Sequence, residues 1–311
     1  MLINTFLHIQ SIGAITEQRI WDSGLRDWNS FSDDISIPLS DSRKYLLKSG
    51  IDESRQHLYK GNPVYFSKCL PSNQSWRFFP EFRDSTVYLD IETTGLDRHF
   101  NDITTIALYD GHEIKTYVQG QNLDDFIEEI YKYKVIVTYN GKSFDIPFIE
   151  HYFNIRLDNA QIDLRYVLYS LGFRGGLKGC ERQLGMDRGD LSDIDWFFAV
   201  LLWGEYQRTG DQKALDTLLA YNVQDTLNLE KLIVTAYNIK LRQTPFYNTH
   251  LVEEPTLPGN PFRADLVTVD KIKNGFIYSE SYWFFRDVKS CAWYIDLLFN
   301  DLNFYFNNTS I

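Results

Sequence analysis

The most constraining stretch of this chain is Thr86 to Leu96, where an apolar strand carries two carboxylates on one side. Side chains alternate along a strand, so Val87, Leu89 and Ile91 share one face while Asp90 and Glu92 project together from the other. Like charges at that spacing repel each other, and the repulsion is relieved when a cation sits between them. Hard cations such as Mg²⁺ favour oxygen ligands of this kind. Taken alone, the strand leaves metal binding and chance alternation both open.

The neighbouring pattern supplies a sheet for this strand. Ile103 to Tyr109 and Glu113 to Val118 read as a hairpin around the Asp110-Gly111 turn. Leu123 to Tyr133 has apolar residues at helical spacing, and Lys134 to Tyr139 is a buried strand rich in β-branched residues. Three antiparallel strands, a helix and a further strand predict an α/β sheet with the first strand central. Beyond it, Asp211 to Tyr237 is expected to form a long helix, with Leu215, Leu218, Leu219, Leu229 and Leu232 at its apolar positions.

Two further clusters carry chemistry. Asn140-Gly141-Lys142-Ser143-Phe144-Asp145 follows the Lys134 to Tyr139 strand directly, so Asp145 stands at a strand's carboxyl end, where α/β sheets present ligand sites. Asp145 precedes Ile146-Pro147 and is also suited to cap a helix. Tyr221 and Asp225 lie four residues apart on the predicted long helix and share one face. By itself that spacing is equally that of an ordinary surface pair.

Together, the order, placement and spacing of the three clusters resemble those of the DEDD exonucleases, in the subtype with a tyrosine in the last motif. DIETTGL from Asp90, NGKSFD from Asn140 and YNVQD from Tyr221 are similar to that superfamily's three motifs. Over 76–232 the chain looks like the YprB-like branch of predicted bacterial exonucleases. The resemblance implies a ribonuclease-H-like mixed β-sheet flanked by helices, and a 3′-to-5′ exonuclease acting on DNA or RNA. It implies two cations, Mg²⁺ or Mn²⁺, roughly 4 Å apart, clamping an in-line phosphodiester displacement. Asp90 would bridge both, Glu92 and Asp225 would complete the water-activating site, and Asp145 would hold the second ion. Tyr221 would orient the attacking water, its phenol being too weak an acid to act as the main base.

The same resemblance places Leu96 against the terminal base and Thr93 beside the 3′ end. Asn140 and Phe144 are substrate-side candidates, with a turn cap and a core ring as their ordinary roles. Arg165, Arg174, Lys178, Arg182 and Arg188 gather around Gly175-Gly176 as candidate phosphate contacts, Arg174 and Lys178 foremost. Ion pairing with Asp163, Glu181 and Asp187 is the alternative. A recruitment module that kept the fold, or a structure-specific endonuclease, are the competing functions. The motif tyrosine favours end-trimming over the endonuclease.

The rest of the chain divides as 1–75, 76–240 and 241–311. The first part is expected to be helical, with a helix start at Gly50-Ile51-Asp52-Glu53-Ser54. Ile9 to Leu25 resembles a helix-hairpin-helix module, with Ser11 where the first glycine stands; an ordinary helical pair is the alternative. The last part carries turn signals at Pro255, Pro258-Gly259-Asn260 and Pro261, then an aromatic end including Tyr278, Trp283, Phe284, Phe285 and Trp293. Packing is their expected use, with base stacking as the alternative.

Composition narrows the class. A net charge of −11 argues against a protein that coats DNA or membranes through a broad basic face, yet suits an enzyme with acidic metal ligands and a small basic patch. Cys69, Cys180 and Cys291 are widely spaced, with no CxxC pair, which fits a reducing cytoplasm. The amino terminus lacks a signal-peptide pattern, and Asp296, Asn300 and Asp301 interrupt the apolar end, so a soluble protein with no membrane partner is expected.

Overall fold

The computed structural model describes residues 1–32, 34–192 and 194–277. The aromatic end from Tyr278 onward, Cys291 and the interrupted apolar stretch lie outside the described residues.

The amino-terminal part contains α1 (Ala14–Asp22), α2 (Asp41–Tyr59) and α3 (Pro63–Cys69), and α4 (Phe79–Phe82) lies at the start of the central part. The Asn62 side chain accepts from Val64 N and Pro63 fills the first turn of α3, so that helix starts where a missing N–H is harmless. Gly50 does not start a helix. It lies in the middle of α2, and a Cβ there would come within 2.6 Å of Ile9 Cγ2. The sequence signal marked a close packing contact. The helix-hairpin-helix pattern is not formed either: α1 is preceded by a short 3₁₀ turn, Leu2–Asn4, and two tight turns closed by Ile9 N–Phe6 O and Ile12 N–Ile9 O, so the paired helices are absent. Ser11 does adopt the left-handed conformation, φ 69°, that a glycine would take there.

Five strands follow: β1 (Thr86–Thr93), β2 (Ile103–Tyr109), β3 (Ile114–Val118), β4 (Val135–Thr138) and β5 (Ala160–Asp163). They lie in the order β3-β2-β1-β4-β5, with β1 central as the pattern predicts. β2 runs antiparallel to β1 and β3 antiparallel to β2, whereas β4 is parallel to β1 and β5 parallel to β4. Between and after them come α5 (Phe126–Ile130), α6 (Asp145–Phe153), α7 (Leu164–Ser170), α8 (Gly176–Gln183), α9 (Trp196–Thr209), α10 (Gln212–Leu241) and α11 (Leu266–Ile277). The helix expected over Leu123 to Tyr133 is shorter, a 3₁₀ turn followed by the five residues of α5.

Both faces of the sheet are covered, which is what a mixed sheet with β1 in the centre requires. On one face Val87, Leu89, Ile91 and Ile136 pack with Phe126 of α5 and with Ile146, Phe148 and Ile149 of α6. On the other, Tyr88, Val135 and Val137 join Val223, Leu227 and Ile233 of α10. That second cluster continues without a break into Phe6, Trp21, Trp28, Ile51 and Phe66 of the amino-terminal part. Arg77 and Glu17 tie the two regions through a buried ion pair, 2.9 Å long. The segment after α10 also lies on it, with Asn260 Nδ2 donating to Ala220 O at 2.8 Å.

Among the described residues, no helix is long and apolar enough to cross a membrane. Among the described residues, Cys69 and Cys180 form no disulfide.

The contact at Gly50 predicts an unusual sign for a helix-centre substitution. Gly50→Ala, which normally strengthens a helix, should here destabilise the protein by about 1–3 kcal/mol through overpacking. A second change, Ile9→Ala, should remove the conflict and part of the penalty. Chemical denaturation of the single and double variants checks this, and a stabilised Gly50→Ala protein would contradict the contact.

Candidate metal centre

The site forms where β1 outruns its parallel neighbour. β1 pairs with β4 only from Thr86 to Tyr88, so among the described residues the rest of β1 on that side has no strand beside it. The loop after β4 fills the notch. Asp145, the first residue of α6, accepts a hydrogen bond there from the Ile91 N–H. Asn140 makes the required turn in the left-handed conformation, φ 69°, which asparagine tolerates. A Cβ on Gly141 would lie 2.2 Å from Thr138 Oγ1, so only glycine fits there. The buried Asp163 carboxylate holds this loop, accepting from Asn140 N at 2.8 Å, Lys142 N at 3.2 Å and Arg165 N at 3.0 Å. None of this anchoring by Asp163 was foreseen.

Across the sheet face from the notch lies α10. Asp90 and Glu92 point toward it from β1, opposite Ala107 and Thr105 of β2, and the register slips between Glu92 and Thr93 where the strand ends. One ligand oxygen from each of Asp90, Glu92 and Asp225 lies within 4.8 Å of the others. Asp145 stands outside that group, although its charge acts on both Asp90 and Glu92. Tyr221, one turn before Asp225, is buried against the cluster. Thus four of the five motif residues meet at one spot, and Asp145 lies close enough for its charge to act on Asp90 and Glu92.

A sixth residue, Asn222, was not anticipated. Its Nδ2 donates to Asp90 Oδ2 at 2.7 Å, while its Oδ1 accepts from Thr105 Oγ1 at 3.0 Å. The amide therefore couples α10 to β1 and β2 and fixes one Asp90 oxygen. The only sequence signal was its place beside Tyr221, one residue along the motif.

Electrostatics at the cluster is dominated by burial and like charge. Burial, then the charges of Asp225, Glu92 and Asp145, raise the Asp90 pKa well above the carboxylate range, opposed by the Asn222 hydrogen bond. Glu92 is raised likewise by burial, Asp225 and Asp145, with Lys178 and Arg188 pulling the other way. Burial is also the main cause at Asp145, pushed up to about 7. Burial and the three carboxylates Asp225, Glu92 and Asp90 hold the Tyr221 hydroxyl well above its ordinary value, so it stays protonated at neutral pH.

The donors fit a divalent cation. All are carboxylate oxygens, the type hard cations take, and the group carries more negative charge than its burial tolerates without a counter-ion. Among the described residues, the buried Asp225 Oδ1 also has no hydrogen-bond partner, though it faces Arg188 Nη1 as an ion pair.

The substrate-side candidates are distributed unevenly. Lys178 reaches the cluster, its Nζ 4.9 Å from the centre of the Tyr221 ring. Thr93 is buried and donates from Oγ1 to Gly95 O at 2.6 Å, closing the turn that leaves Leu96 47% exposed. Phe144 packs on Phe148, and the Asn140 side chain accepts from Arg165 Nη1 at 2.6 Å. Arg174 lies over the Tyr169 ring and donates to Tyr169 O and Phe173 O. Arg182 is exposed. Arg188 is buried in ion pairs with Glu181 and Asp225, which the pairing alternative anticipated only for Glu181.

Comparison with known proteins agrees with this architecture. Residues 87–237 match the model of a family described as the RNase_H superfamily, a segment that holds nearly the whole sheet and all five motif residues. That domain has the ribonuclease-H-like fold, a mixed five-stranded sheet flanked by helices. No curated protein sequence gives a significant match. Among solved structures, the chain is similar to a nuclease in its apo form, at 20% identity over 52% of this chain and 75% of that one, TM-score 0.37. It is also similar to Brucella melitensis NrnC, at 16% identity over 53% and 78%, TM-score 0.37, and to the same protein with bound Mg²⁺, at 18% over 53% and 77%, TM-score 0.37.

The Asp145 shift has a measurable sign. A carboxyl whose pKa rises from 3.8 to about 7 on folding contributes stability that is fully present below its unfolded value. That contribution is lost as pH rises through the folded value. Asp145→Asn keeps an acceptor oxygen without the charge, so in EDTA its melting temperature relative to wild type should climb between pH 4 and pH 8. Thermal melts of both proteins across that window check it, and a difference that falls with pH would contradict the assignment.

Proposed function

We propose that this ribonuclease-H-like chain is a metal-dependent nuclease that trims DNA or RNA from the 3′ end. The observation that carries the proposal is the convergence of Asp90, Glu92 and Asp225, one oxygen from each within 4.8 Å, from a strand and a helix distant in sequence. Asp145 lies at the adjoining strand end, and the Tyr221 motif faces the same spot. Chance alternation on β1 does not account for a third carboxylate arriving from α10.

Asp90, Glu92, Asp145 and Asp225 would hold two divalent cations, Mg²⁺ or Mn²⁺, both of which suit an oxygen-ligand site. When bound, such ions neutralise the charge that develops on the attacking and leaving oxygens of an in-line displacement at phosphorus. The protein's own groups supply the rest. Tyr221, protonated at neutral pH, donates a hydrogen bond that orients the attacking water. Asn222 fixes Asp90, so the strand carboxylate need not reorganise when substrate arrives. Lys178, partly buried above the Tyr221 ring, offers a positive charge to a phosphate oxygen beside the carboxylates. Leu96, exposed at the end of the β1 turn, would pack on a terminal base, and Thr93 holds that turn in shape. Thr93, Asn140, Phe144 and Arg174 act as substrate contacts only when the Gly95, Arg165, Phe148 and Tyr169 contacts that now engage their side chains are released.

The ladder of products from a 5′-labelled oligonucleotide tests the proposal. With Mg²⁺ or Mn²⁺ the wild type should produce successively shorter products from single-stranded DNA or RNA, and EDTA or Asp90→Ala should abolish them. Tyr221→Phe should lower kcat about 100- to 1,000-fold, a smaller loss than that from removing a carboxylate. Internal fragments in place of a ladder would make the protein an endonuclease. Binding of nucleic acid with no cleavage under any metal would make it a recruitment module.

A further inference from the structure

The segment between α8 and α9 sends one side chain into the carboxylate cluster from outside the three motifs. Arg188 is buried, its side chain 5% exposed, between Glu181 at 1% and Asp225 at 8%. Its guanidinium is not free to turn. Nε and Nη2 donate to the two oxygens of Glu181, Nη2 to Oε1 at 2.8 Å, and only Nη1 remains to face Asp225 Oδ1. Glu181 Oε1 is also held by Asn228 Nδ2 at 2.8 Å, and Asn228 lies three residues beyond Asp225 on α10. The chain of contacts therefore leaves α10 at Asn228, crosses α8 at Glu181, and returns to α10 through Arg188.

A planar fork locked by a two-point carboxylate contact is a fixed charge in a way that a lysine is not. We infer that Arg188 is a positioning residue for the metal centre: held by Glu181, it fixes the Asp225 carboxylate toward Asp90 and Glu92 and thereby sets the cluster's affinity for divalent cations. The inference rests on the metal-site reading above. It opposes the other role a buried arginine can play beside a metal ligand, that of a competing cation that a metal must displace. The two roles differ in sign, because loss of a positioning group weakens metal binding and loss of a competitor strengthens it.

Direct titration of the full-length, metal-free protein with Mn²⁺, followed by electron paramagnetic resonance of the free ion, separates them. Arg188→Gln should bind Mn²⁺ at least about tenfold more weakly than wild type, the scale on which groups that orient metal ligands act. Arg188→Lys keeps the charge without the fork and should recover part of the loss. In the nuclease assay Arg188→Gln should need more Mn²⁺ for half-maximal rate yet approach the wild-type kcat at saturation, a split that a merely structural defect does not produce. Should Arg188→Gln fail to fold, Asn228→Ala leaves both ion pairs intact while loosening Glu181, and it should weaken Mn²⁺ binding in the same direction by a smaller factor. Unchanged or tighter Mn²⁺ binding in these variants, with a wild type that binds, overturns the inference alone. A wild type that binds no Mn²⁺ overturns the metal-site reading and this inference with it.

Discussion

Everything distinctive about this protein depends on the repulsion among carboxylates gathered in a space too dry to screen them. Asp90, Glu92 and Asp225 converge, and Asp145 acts on them from the neighbouring strand end. Burial makes each charge harder to keep, and every neighbour makes it harder still. A cluster of this kind persists only because other parts of the fold are arranged to hold it. Asn222 donates to Asp90, Lys178 and Arg188 bring opposite charge, and the Ile91 N–H engages Asp145. The apolar side of β1 supplies the compensating stability, since Val87, Leu89 and Ile91 are all buried against α5 and α6.

The geometry follows from a mismatch of strand lengths. β1 has eight residues and β4 has four, so among the described residues the carboxyl half of β1 has no strand on one side. The loop carrying Asn140, Gly141 and Asp145 occupies that gap, and Asp163 at the end of β5 ties the loop in place. The opposite wall is α10, a helix of thirty residues whose first half packs on α9 and whose second half packs on the amino-terminal part. The amino-terminal helices thus share the core that holds α10 from Val223 onward, the stretch that carries Asp225, which ties their folding to the integrity of the site.

Much of this was legible in the sequence, for reasons that are local. Alternation along β1 put Asp90 and Glu92 on one face, the Asp110-Gly111 turn marked the β2–β3 hairpin, and the four-residue spacing of Tyr221 and Asp225 put both on one side of a helix. What stayed hidden depends on contacts distant along the chain. The short β5 reads as a strand only beside β4, Gly50 makes sense only against Ile9, and Asn222 acquires its role only when β2 brings Thr105 to it. Arg188 stands among five basic residues that look alike in sequence, and burial alone separates it from Arg174 and Arg182. One hydrophobic cluster spans residue 75, joining Phe66 to Trp76 and Tyr88, contacts that the loop punctuation there does not reveal.

The most direct measurement is a crystal of the protein soaked in Mn²⁺, with the ion located by anomalous scattering. Density is expected among the Asp90, Glu92 and Asp225 carboxylates, with Asp145 beside a second position. Crystals that remain free of Mn²⁺ at these side chains, or that bind it elsewhere, would contradict the claim that charge repulsion at this cluster is resolved by metal.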